Sequence, residues 1–121
     1  MLIGHFTEQP WQDNTTGLMG TQSLDLSISN GVYDPKVGAK LYNRYLDEKI
    51  YADQIGFDAL MLNEHHSTPF CMQGVTNVGA SILARETKQA KIIILGNILP
   101  IWDDPLWLAE QLAMIDMISY G

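Results

Sequence analysis

An α/β fold, with parallel strands and helices packed outside them, is predicted for this 121-residue chain. Two observations carry the prediction. The runs Ala59-Leu60-Met61-Leu62 and Ile92-Ile93-Ile94-Leu95 are short and continuously apolar, as parallel strands covered on both faces are. Stretches with apolar residues at helical spacing alternate with them, and repeated strand–helix alternation builds βα units.

Three such units follow in order. The first strand is short, over 2–6. A long polar stretch over 9–38 comes next, holding Trp11, several glycines and the turn signal Ser29-Asn30-Gly31. A connection of that length with little structure of its own is often a binding loop or lid. A helix is predicted over 40–55, because Leu41, Tyr42, Tyr45, Leu46, Ile50 and Ile55 fall on or near one stripe. Gly56 then stands where a left-handed helix end is expected. The second strand is predicted over 58–63, and a loop rich in Ser, Thr, Pro and Gly over 67–76.

The second helix, over 77–87, is apolar on one side through Val78, Ala80, Ile82, Leu83 and Ala84. The third strand, over 91–95, is β-branched and ends at Gly96-Asn97. The third helix has the clearest start: Asp104 caps free amides, and Pro105 suits the first helical position. It runs to about residue 118 and is apolar nearly all round, so it expects cover on more than one side. Residues 119–121 read as a helix-ending turn. Periodicity does not separate a doubly wound sheet from a β/α barrel. Three βα units cannot close a barrel of eight, so in the barrel reading this is its first part, incomplete as given.

The length fits one domain, spanning 1–121. Fourteen acidic against seven basic residues give a net charge of −7. That balance argues against nucleic-acid binding, which needs clustered Lys and Arg. Cys71 is the single cysteine and forms no internal disulfide, which suits a reducing compartment. The N-terminus lacks a secretory signal, and no apolar run approaches the ~20 residues of a membrane span. The expectation is a soluble, cytoplasmic protein with no membrane partner.

Glu64-His65-His66 is the stretch that points to chemistry. It places a carboxylate and two imidazoles where a buried strand ends, the edge at which parallel α/β folds bind ligands. Neighbouring strand side chains face opposite ways, so His65 and His66 do not share a site if the strand continues through them. A metal pair there would want His-x-His, and no further ligand cluster accompanies them, so no metal is expected. Proton transfer fits better: imidazole titrates near neutral pH, and Glu64 can fix the tautomer of one ring.

Gly96-Asn97 ends the third strand on the same edge. Glycine there permits close approach of a flat ligand, and Asn97 offers a donor and an acceptor; a tight turn explains the pair equally well. Asp116, on an apolar helix, needs a partner, and capping the amides of the 119–121 turn is the expected one. The three tryptophans are too scattered to form a platform. Ser67 and Ser81 lack a nucleophile elbow, and no phosphate-binding glycine motif is present.

Taken together, Gly56-Phe57-Asp58-Ala59, Glu64-His65-His66-Ser67-Thr68-Pro69, Leu95-Gly96-Asn97-Ile98-Leu99-Pro100, Asp104-Pro105 with Ala109-Glu110, and the closing run from Leu112 to Ser119 resemble the N-terminal portion of the bacterial luciferase-like, flavin-dependent monooxygenase family. The ordered set covers nearly the whole chain. The resemblance implies a (β/α)8 TIM-type barrel holding reduced FMN at the C-terminal edge of its strands. It further implies that oxygen adds to the flavin and that the adduct attacks an aldehyde, ketone or similar small substrate.

The same resemblance puts the catalytic histidine at His65, with Glu64 beside it, and gives His66 a structural or substrate-facing role. It sets Gly96 and Asn97 against the flavin ring and Phe6 at the border of the pocket. It also implies a flavin reductase as partner and a homo-oligomer for the full-length protein. The family's flavin phosphate site lies in later strands and loops, and its arginine after the Ser-x-Gly turn is absent from these residues. Two other readings stay open: a deazaflavin (F420) hydride-transfer enzyme of the same superfamily, and a catalytically inactive fragment or association module.

Overall fold

The computed structural model describes residues 1–13 and 28–121. Strands β1 (Gly4–His5), β2 (Ala59–Asn63) and β3 (Lys91–Leu95) form one sheet in the order β1-β2-β3. Both pairings are parallel, with Gly4 opposite Ala59 and Ala59 through Asn63 opposite Lys91 through Leu95. Three helices connect and follow them: α1 (Pro35–Gln54), α2 (Thr76–Glu86) and α3 (Pro105–Ser119). The expected alternation of strand and helix is therefore present, and the strand bounds fall within two residues of those read from the sequence. Of the expected loop or lid over 9–38, residues 14–27 lie outside the described residues, and 35–38 belong to α1.

Helix α1 starts five residues earlier than its apolar stripe suggests. The Asp34 carboxylate accepts from the Lys36 amide at 2.7 Å, and Pro35 occupies the first helical position, a start signal as strong as the one ahead of α3. The first turn is mostly exposed, so hydrophobic periodicity had nothing to register there. Gly38 sits inside that turn because the Tyr33 ring lies over it, where a Cβ would collide. At the other end Gly56 has φ +92° and closes the helix as expected.

The core lies between the sheet and the helices. Leu60 and Leu62 of β2 are fully enclosed by Ala52 of α1, Ala80, Leu83 and Ala84 of α2, and Ile115 of α3, with Ile92 and Ile94 packed against them. Burial on both faces holds for β2 but not for β3. In β3, Ile93 and Leu95 are exposed and alternate with half-buried neighbours, since among the described residues β3 has one strand neighbour and helices on one face. On α2, Val78 and Ile82 are exposed too, so its inward face is Ala80, Leu83 and Ala84.

Helix α3 begins as predicted, with Asp104 accepting from the Leu106 amide at 2.9 Å. Only Leu108 and Ile115 are buried; Leu106, Trp107, Met114 and Met117 are exposed. The described residues thus cover one side of a helix that expected more. The proposed cap at Asp116 is corrected: its carboxylate is exposed and needs no partner. The turn amides of Tyr120 and Gly121 go instead to backbone carbonyls, including that of Asp116.

One buried carboxylate joins distant parts of the chain. Asp53, near the end of α1, accepts from the amides of Lys88, Gln89 and Ala90 at 3.1, 2.9 and 2.7 Å. Burial alone raises its pKa, but these amides and the Lys88 charge outweigh that and hold it below the usual carboxylate value. No helix among the described residues is long and apolar enough to cross a membrane.

Candidate active site at the strand ends

Parallel pairing brings the C-terminal ends of all three strands to one edge, and Glu64-His65-His66 sits there. Strand β2 stops at Asn63, so the triplet is loop. The alternation expected of a strand therefore does not separate the two rings: His65 and His66 line the same cavity of about 270 Å³, with Trp11, Tyr33, Tyr42 and Met72.

Glu64 belongs to His66. Its Oε1 lies 2.8 Å from His66 Nε2, while its Oε2 accepts from the Asn97 amide at 2.7 Å and the Thr76 hydroxyl at 3.2 Å. The side chain is only 6% exposed. Burial pushes its pKa up, but the Asn97 amide, His66 and Thr76 outweigh this and keep it low. Such a carboxylate stays charged and fully bonded, which makes it a clasp between the ends of β2 and β3.

His65 has a different carboxylate. Its Nε2 stands 3.3 Å from Glu8 Oε2, and its ring meets the Phe70 ring edge-on at 4.9 Å. Glu8 follows β1 and also accepts a hydrogen bond from the Asn63 side-chain amide. The sequence reading missed Glu8 and Asn63, although a polar residue closing an apolar strand was a visible signal for Asn63. His5 is half-buried on β1, where burial and nearby Lys49 lower its pKa. Among the described residues no three of His, Cys, Asp and Glu gather as a metal site would.

Gly96 follows β3 where Glu64 passes. A Cβ there would lie 2.7 Å from both Glu64 Cβ and Oε2, and 2.9 Å from Thr76 Oγ1. The space the glycine leaves is thus taken by Glu64. Asn97 has φ +61°, a conformation Asn tolerates better than most residues, and its side chain donates to Asn77 Oδ1 at 2.9 Å. Asn97, Glu64, His66, Thr76 and Trp102 line a second cavity of about 200 Å³, so His66 borders both spaces. Phe6 is 45% exposed and lines neither cavity. Gly96→Ala is expected to destabilise the protein by about 2 kcal/mol, because packed backbone must move. Gly4→Ala should cost far less, since a Cβ there meets the flexible Met61 Sδ at 3.2 Å. Urea denaturation of the two variants checks the contrast, and equal costs would remove the argument for Gly96.

No family model matches the chain. The chain is 30% identical over 90 residues to the oxygenase component of the flavin-dependent trigonelline monooxygenase of Acinetobacter baylyi, covering 74% of this chain and 25% of that protein. It is 32% identical over 76 residues to the alkanal monooxygenase β chain of Vibrio harveyi, covering 63% and 23%. In structure it matches the oxygenating constituent of 3,6-diketocamphane monooxygenase from Pseudomonas putida, a type II Baeyer-Villiger monooxygenase solved with FMN. That match has a TM-score of 0.65 at 20% identity, over 80% of this chain and 26% of that one. The structural match shows a shared fold. The chain spans about a quarter of the length of these relatives. At low identity, the homologues of this chain are flavin-dependent monooxygenases of the luciferase-like family.

Proposed function

We propose that this chain forms the first three βα units of a (β/α)8 barrel that carries out flavin-dependent monooxygenation of a small organic substrate. The single observation behind this reading is the pair of imidazole–carboxylate contacts, His65–Glu8 and His66–Glu64, at the C-terminal edge of a parallel sheet beside two cavities. That edge is where barrel enzymes do their chemistry. The relatives supply the reaction class.

The residues present fit a flat conjugated ring. The indole Nε1 of Trp102 is buried with no partner among the described residues, and it borders the cavity that Asn97, Val75 and Ile101 share. An apolar wall with one buried donor suits a ring edge carrying acceptors. Asn97 lines that cavity, Gly96 precedes Asn97 in the chain, and Phe6 follows β1 without lining the cavity. Bound reduced FMN supplies the electrons and the reaction with oxygen. His65, 43% exposed, holds or delivers a proton at its ring nitrogen as the substrate reacts. Glu64 keeps the strand ends and His66 in place. A reductase delivers reduced flavin, in keeping with a relative that is an oxygenase component; the complete protein works in the cytoplasm as a homo-oligomer.

The test is cofactor use by the complete protein. Purified protein is expected to bind reduced FMN and to couple oxygen uptake to oxidation of an aldehyde or ketone. Binding of F420 in preference to FMN, with no oxygen uptake, would replace the monooxygenase reading with hydride transfer. Binding of neither would leave an association module.

A further inference from the structure

We propose that Glu8 is the positioning residue for His65, held in turn by Asn63 and Cys71; this rests on the acid–base reading of His65. The three side chains form an oriented line. The Cys71 thiol lies 3.6 Å from Asn63 Oδ1, and Asn63 Nδ2 donates to Glu8 Oε2. The same Glu8 oxygen stands 3.3 Å from His65 Nε2.

The line can run in one direction only. A carboxylate accepts and does not donate, so the amide of Asn63 must turn its NH2 to Glu8. That leaves the Asn63 carbonyl facing Cys71, whose S–H donates weakly to it. Burial pushes the Cys71 thiol up, so it keeps its proton. Asn63 is 4% exposed and Cys71 2% exposed, so water does not compete for either group. Glu8 receives one hydrogen bond from the buried side and turns to His65 on the other.

A carboxylate facing Nε2 favours the tautomer with the proton on that nitrogen. Nδ1 is then left as the free acceptor, while the Phe70 edge limits rotation of the ring. This is how a carboxylate fixes a catalytic imidazole without moving a proton itself. The topology also explains why the pair is invisible along the chain: parallel pairing of β1 with β2 brings together residues 8 and 65.

The test uses the complete protein. Glu8→Ala is expected to lower kcat about 10- to 100-fold with KM little changed, and to lower it no further in a His65→Ala background. In ligand-free protein carrying 15N-labelled histidine, neutral His65 should show a single Nε2–H tautomer, and Glu8→Ala should give a mixture. Glu8→Gln, whose carbonyl oxygen accepts from both neighbours, should restore the single tautomer. A His65 ring that keeps one tautomer without Glu8, or an equal loss of kcat in the His65→Ala background, would overturn the proposal. The NMR result decides it even if His65→Ala leaves turnover intact, an outcome that would overturn the acid–base reading alone.

Discussion

Changing His65 to alanine in the complete protein is expected to lower kcat by about 10²- to 10⁴-fold, the usual weight of a general acid or base, and changing His66 to alanine far less. The asymmetry follows from what each ring touches. His66 Nε2 is bound by a buried carboxylate that is itself fixed by Asn97 and Thr76. His65 contacts the more exposed Glu8 and opens on a cavity with aromatic walls. Steady-state kinetics of the two variants settles the assignment, and equal losses would end it.

Replacing Lys49 by methionine is expected to raise the unfolding free energy by about 3 kcal/mol at pH 7, the equivalent of its displaced titration. Lys49 is fully buried in α1, and its ammonium has no hydrogen-bond partner among the described residues. Burial lowers its pKa from 10.5 to about 8, with Glu48 and Cys71 pulling weakly the other way. The titratable groups that bear on it are His5 from β1, Glu48 from its own helix and Cys71 from the loop after β2.

The pH dependence has a definite sign. Between about 8 and 10.5 the unfolded chain keeps the lysine proton while the folded chain has released it, so the contribution of Lys49 to stability rises with pH across that window. Below 8 both states hold the proton, and the full cost of a buried ammonium is felt. Methionine fills similar space without the charge, so the variant should be more stable at pH 7 and should lack the rise between 8 and 10.5, leaving the fall with pH that the raised Cys71 thiol brings there. Urea denaturation at pH 7 and 10 measures both. A less stable variant, or a rise that persists, would show that Lys49 is paired after all.

Much of the fold was legible because its signals are local. β3 was read to the residue, and the Asp104-Pro105 start of α3 needs nothing beyond its own sequence. The start of α1 was missed for the opposite reason. Asp34-Pro35 is an equal signal, but it stands ahead of the apolar spacing, which begins only at Leu41. Lys49 escaped notice because it stands one turn after Tyr45, on the same buried face as Leu41 and Ala52. No local pattern says that a lysine on such a stripe is covered.

The candidate site was legible as residues but not as pairs. Glu64, His65 and His66 stand out in one triplet, yet which imidazole takes which carboxylate depends on where β2 stops and what β1 brings alongside it. Along the chain, Gly96 reads equally well as room for a ligand or as a tight turn. Its tight surroundings appear only when Glu64 and Thr76 are placed against it.

Asp53 carries a consequence for how the molecule comes apart. In a row of βα units that touch only their neighbours, one end can melt while the other stays folded. Here the end of the first helix grips the turn that leads into the third strand, 35 to 37 residues further on. Peeling β3 away therefore strips three amides from a buried carboxylate, and loosening α1 does the same. The first and third units are tied into a single opening step, with β2 trapped between them.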